Sequence, residues 1–125
     1  MSSPGKKTVP VIQYLVRAYK LWHEFLPHVP KSARYTLGGK IDAMLIETLE
    51  AIFTASVLPK EKKLPYLVRA ATKLDLAKFF LQICWEIKAV DNKKYAVLSE
   101  QFDGIGRMLG GWMRHMGEPH QNPPG

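Results

Sequence analysis

The chain lacks any apolar run near the ~18 residues that a membrane span requires, so no membrane role is expected. Its single cysteine, Cys84, excludes an internal disulfide and suits a reducing, cytoplasmic setting. The apolar neighbours of Cys84 mark it as a small buried hydrophobe. No apolar stretch follows the basic start Met1–Lys7, so no secretory signal is read. Alternating strand patterns are missing throughout, which leaves an all-helical reading.

Signatures of chemistry are missing as well. There is no phosphate loop, no paired-cysteine metal site and no nucleophile elbow. His23 and His28, and His115 and His120, stand five apart without a third ligand at suitable spacing, so they read as surface residues. No metal or cofactor is expected.

What is present is helical periodicity. Residues 1–8 read as a flexible basic lead, 9–116 as a helical bundle, and 117–125 as a disordered tail. Ile12, Leu15, Tyr19, Trp22 and Leu26 recur every three or four residues, and Pro27 and Pro30 end that first helix. A second helix is predicted from Pro30 to Ser56, with Leu37, Ile41, Met44, Leu45, Thr48, Leu49 and Ile52 inward and Ile46 and Phe53 off the stripe. The third is predicted to start between Lys60 and Pro65 and to run to Val90. From Leu74 to Ile87 its polar residues, Asp75, Lys78, Gln82 and Glu86, form one narrow stripe. So apolar a helix needs more cover than its own bundle supplies, and another subunit is the expected source. Leu76, Phe79, Phe80, Ile83 and Ile87 are the candidate interface. Asp91 or Asn92 caps a fourth helix with Tyr95, Leu98, Phe102, Ile105, Leu109 and Trp112 inward. The fold class is an up-down four-helix bundle with short connections. Its inward stripes hold no charged side chain, which argues against a small helical enzyme.

Within the last helix, Gly104, Gly106, Gly110 and Gly111 each cost roughly 0.8–1.0 kcal/mol relative to alanine. Their retention points to a surface where a second backbone comes close. Gly106 and Gly110 share one face, and the pair Gly38–Gly39 is the expected occupant of that groove. On this reading Gly38, Gly106 and Gly110 are close-packing positions, and Gly110→Leu overpacks the contact.

A net charge of +7 points to a polyanionic partner, most often nucleic acid. The candidate phosphate contacts fall in three groups. Lys31 and Arg34 flank the start of the second helix. Lys60, Lys62 and Lys63 are placed in the loop before the third, with Arg69 and Lys73 extending their charge along it. Arg107 and Arg114 belong to the last helix. Such a set can track RNA or DNA without reading its sequence, and Tyr35 and Tyr66 are possible stacking platforms.

Two motifs are specific. Pro30-Lys31 with Arg34-Tyr35-Thr36-Leu37-Gly38 and Ile41 is the first; Leu98-Ser99 followed by Ile105 to Trp112 is the second. Together they closely resemble the four-helix-bundle family of accessory variability determinant (Avd) proteins. Those belong to diversity-generating retroelements, and close relatives are encoded in intervening sequences of ribosomal-RNA genes. The resemblance covers roughly Tyr14 to Trp112. It implies a homopentameric, barrel-like assembly that binds nucleic acid and a dedicated reverse transcriptase, whose mutagenic copying of template RNA into cDNA requires the accessory. Where relatives often carry arginines in the third helix, this chain has Lys78 and Gln82. The ribosomal-RNA-gene relatives share these motifs and lack a polymerase partner. Positive charge favours the retroelement branch.

Overall fold

The computed structural model describes residues 8–117, and every regular element among them is helical. The expected flexible lead and disordered tail fall almost wholly outside the described residues. Helix α1 spans Thr8–Phe25 and buries Val11, Leu15, Ala18 and Trp22 at helical spacing. A 3-10 turn at Leu26–His28, where Pro27 denies the ladder a donor, leads to the single-turn helix α2, Lys31–Arg34.

Here the expected continuous helix from Pro30 to Ser56 is corrected. The chain breaks at Tyr35–Thr36, where Thr36 has φ −108° and ψ −89°, and restarts as α3, Leu37–Val57. The cause is local competition for the Ala33 carbonyl, which accepts from the Thr36 amide and the Thr36 hydroxyl, each at 3.3 Å. Arg34 reinforces the break by turning back, with Nε donating to the Val29 carbonyl (3.0 Å) and Nη2 to that of Pro27 (2.8 Å). At Gly38 an added Cβ would sit 3.1 Å from Leu26 Cδ1 and 3.4 Å from the Ala33 oxygen, so glycine lets α3 start close under this corner.

Helix α3 buries Gly38, Ile41, Met44, Leu45, Thr48, Ala51, Ile52 and Ala55. The buried Thr48 hydroxyl is satisfied by the Met44 carbonyl at 2.6 Å. Only Leu58 and Pro59 separate α3 from α4, Lys60–Glu86. Lys60, Lys62 and Lys63 therefore lie in the first turn of a helix, not in a loop as expected. Helix α4 buries Leu67, Ala70, Leu74, Ala77, Leu81 and Cys84, and it ends four residues before the expected Val90. Lys88 adopts φ 66° there, while the Cys84 carbonyl accepts from the Ala89 amide at 2.8 Å, which closes the helix end. Asp91 then caps α5, Asn92–Gly117, its Oδ1 accepting from the Lys94 amide at 2.8 Å. That amide holds the Asp91 carboxyl below the usual carboxylate range.

The four long helices close a ring: α1 packs on α3, α3 on α4, α4 on α5, and α5 back on α1. Helices α3 and α4, joined only by Leu58 and Pro59, and α4 and α5, joined by residues 87–91, run antiparallel because connections this short allow nothing else. Between them, Leu15, Trp22, Leu45, Ile52, Leu74, Leu81, Leu98 and Phe102 are fully enclosed. Helix α5 stays regular through Gly104, Gly106, Gly110 and Gly111 because its apolar stripe, Leu98 to Trp112, is held on the core.

Candidate nucleic-acid interface

The expected basic residues separate into those spent on the fold and those left in solvent. Arg34 is half-buried and tied to two carbonyls, so its guanidinium braces the α1–α3 corner. Lys63 donates Nζ at 2.6 Å to the Ala55 carbonyl at the end of α3, which also accepts from the Leu58 amide at 3.3 Å. Lys73 pairs with Glu47 across the α3–α4 seam at 3.0 Å. Lys78 pairs with Asp103 on α5 at 2.9 Å. Lys31, Lys60, Lys62, Arg69, Arg107 and Arg114 are exposed, and none makes an ion pair among the described residues.

These free cations do not form one patch. Lys31 and Lys60 sit at opposite ends of the bundle, separated by most of α4, whose 27 residues span about 40 Å at 1.5 Å per residue. Arg107 and Arg114 lie on the outer side of α5. Their guanidinium nitrogens come within 3.6–3.8 Å of where a Cβ would stand on Gly104, Gly110 and Gly111. The expected partner of the glycine groove is thereby corrected. Gly38 faces Leu26 and Ala33, and among the described residues nothing stands within 4 Å of a Cβ at Gly39 and no backbone of another element comes that close at Gly106 or Gly110. A Cβ added at Gly106 would stand at an ordinary 3.9 Å from Leu74 Cδ2, and arginine side chains lie along Gly104, Gly110 and Gly111.

Tyrosines sort in the same way. Tyr19 is packed, its hydroxyl donating to Asp42 Oδ1 at 2.8 Å; burial, then Asp42, pushes its pKa upward. Tyr95 stacks on Trp85, ring centroids 4.6 Å apart. Each of the other three carries an arginine over its ring: Arg17 on Tyr14 (5.4 Å), Arg34 on Tyr35 (6.0 Å) and Arg69 on Tyr66 (5.5 Å). Tyr66, Arg69 and Lys73 share a groove with Glu47, Glu50, Phe53 and Thr54.

Asp42 was not legible as a functional or structural residue. Besides Tyr19 it receives the indole N–H of the fully buried Trp22 at 3.2 Å. The available signal was that Tyr19 and Trp22 both carry polar tips on a buried stripe and must find an acceptor.

The apolar excess of α4 is real. Leu76, Phe79 and Ile87 are exposed, Phe79 at 55%, while Phe80 and Ile83 are half-buried and Phe80 packs against the core. Ile46, Phe53 and Val57 extend exposed apolar surface along α3. Among the described residues no helix is long and apolar enough to cross a membrane, and no group of His, Cys, Asp or Glu is arranged to hold a metal.

A family model described as bAvd-like matches residues 7–116. No curated protein and no solved structure matches the chain.

Proposed function

The chain belongs to the bAvd-like family, and on that premise we propose that it is a non-catalytic, nucleic-acid-binding accessory of a diversity-generating retroelement. It binds template RNA and the retroelement's reverse transcriptase, and supports mutagenic copying of that RNA into cDNA in the cytoplasm. The observation that carries the nucleic-acid part is the set of cations left free by the fold. Lys31, Lys60, Lys62, Arg69, Arg107 and Arg114 contribute positive charge that no carboxylate of the bundle offsets among the described residues. Phosphates are the partner such scattered, exposed charge suits, because backbone contacts need position and sign but no base pattern.

Self-association belongs to the same proposal. The exposed Leu76 and Phe79 lie on α4, already packed on both neighbours, with Ile87 just past its end, and another copy of the chain is the cover proposed for them. Five copies of a +7 chain in a barrel make a strongly positive body, able to gather RNA at rates near the diffusion limit. A charge-only contact predicts affinity falling steeply between ~50 and ~200 mM salt through counterion release. Fluorescence anisotropy with template RNA at these salts, together with affinity capture of the reverse transcriptase, tests the reading. RNA binding with a steep salt slope and retention of the polymerase support it. Loss of both leaves the ribosomal-RNA-gene type of role, without a polymerase.

A further inference from the structure

Along α4, Lys62, Tyr66, Arg69 and Lys73 recur at steps of four, three and four, so they form one line on the flank that meets α3. Facing them, α3 supplies Glu47, Glu50, Phe53 and Thr54, and the groove between the helices encloses about 670 Å³. The Lys73–Glu47 ion pair at 3.0 Å ties the two walls together on one side. The Arg69 guanidinium lies over the ring of the half-buried Tyr66, 5.5 Å from its centre, and neither Arg69 nor Glu50 has an ion-pair partner among the described residues. Phe53 is 63% exposed on the opposite wall. The groove thus offers two aromatic rings, one free cation and one free carboxylate.

We propose that this groove holds an unpaired nucleobase of a single-stranded nucleic acid. The base displaces Arg69 from over the Tyr66 ring and stacks there and against Phe53, the released guanidinium meets the adjoining phosphate, and Glu50 accepts hydrogen bonds from the base edge. This rests on the nucleic-acid-binding reading above and adds a strand type and a site to it. The chemistry matches part by part. A base has apolar faces and a polar edge, and stacking on aromatic side chains is how single strands are held without regard to order. In a duplex the base faces are covered by their neighbours, so this site takes single strands. An ionised carboxylate only accepts hydrogen bonds, and guanine presents two adjacent N–H donors where uracil presents one. A second copy of the chain is a poorer fit here, because these walls are charged; the uncharged strip of Leu76, Phe79 and Ile87 is where an apolar partner fits.

The test uses the full chain and fluorescent hexanucleotides: all-uridine, uridine with one central guanosine, and a duplex of equal charge. Losing one stacked base weakens binding roughly 5- to 150-fold. Tyr66→Leu and Phe53→Leu should each lower single-strand affinity within that range and leave duplex affinity and salt slope unchanged. Arg69→Gln should flatten the slope by about one. The guanosine strand should bind more tightly than all-uridine, and Glu50→Gln should erase the difference. Phe53 is exposed enough for its leucine variant to fold, which keeps the result readable if Tyr66→Leu does not. Unchanged single-strand affinity in the leucine variants, with wild type still binding RNA, overturns the groove while the accessory reading stands. Leucine variants that lose the polymerase but keep RNA make the groove a protein-docking surface and overturn the proposal. A wild-type chain that binds no nucleic acid overturns both.

Discussion

The buried indole of Trp22 on α1 donates its Nε1–H to Asp42 Oδ1 on α3 at 3.2 Å, and Tyr19 shares that oxygen at 2.8 Å. One carboxylate therefore serves two donors that α1 sets against its neighbour. Asp42→Ala leaves both without an acceptor and should cost roughly 1–3 kcal/mol in urea unfolding, whereas Asp42→Asn keeps an acceptor and should cost less. Tyr19 adds a pH dependence. Burial first, and then Asp42, raises its folded pKa above 10.0. The unfolded chain loses that proton first, so stability is whole below the unfolded value and is lost as pH rises through the folded one. Tyrosinate absorbance should show a late-titrating phenol that Tyr19→Phe removes.

Glycine substitutions should split by position. An added Cβ at Gly110 or Gly111 meets only the flexible end of Arg114, at 3.6 and 3.8 Å. Gly110→Ala and Gly111→Ala should then stabilise the helix by up to about 1 kcal/mol each. Gly38→Leu should cost about 1–3 kcal/mol by overpacking against Leu26 and the Ala33 carbonyl. Thermal unfolding of the three variants decides it, and equal effects at Gly38 and Gly110 would contradict the packing described.

Cys84 is fully buried on the inner stripe of α4, and burial pushes its thiol pKa upward. Its reaction with a disulfide reagent should be slow in the native protein and fast in denaturant. Fast native labelling would mean that α4 opens away from the core.

Sedimentation should show a species near five protomers. Phe79 is the site to break it, because the ring is exposed, while Phe80 packs against the core and its loss would also damage the fold. Phe79→Glu should shift the species toward monomer and keep the helical signal. A wild-type chain that is monomeric at micromolar concentration would end the assembly claim.

The core was legible because periodicity sees burial. Leu98, Phe102, Ile105, Leu109 and Trp112 are all buried as their spacing predicts, and Asp91 caps α5 as its place before the helix suggests. The family was legible too, since the two motifs lie within the matched residues 7–116. The break at Thr36 was not. A threonine inside a helical pattern reveals competition only once the Ala33 carbonyl is in place to accept its hydroxyl. The same holds for the cations. Arg34, Lys63 and Lys73 look like free surface charge in sequence, but their partners are two carbonyls, one carbonyl and one carboxylate that tertiary structure brings within reach. Glycine pairing failed for another reason: spacing gives a shared helix face, but not what stands opposite it.

The most direct measurement is cDNA synthesis by the purified reverse transcriptase on its template RNA, with wild-type protein, without protein, and with the Lys60→Gln, Lys62→Gln, Arg69→Gln triple variant. These three residues are exposed and make no ion pair among the described residues, so their loss should spare the fold. Synthesis should require the wild-type protein and fall with the triple variant in step with its RNA affinity, at unchanged oligomer size. Synthesis that is the same with and without the protein would contradict the accessory role.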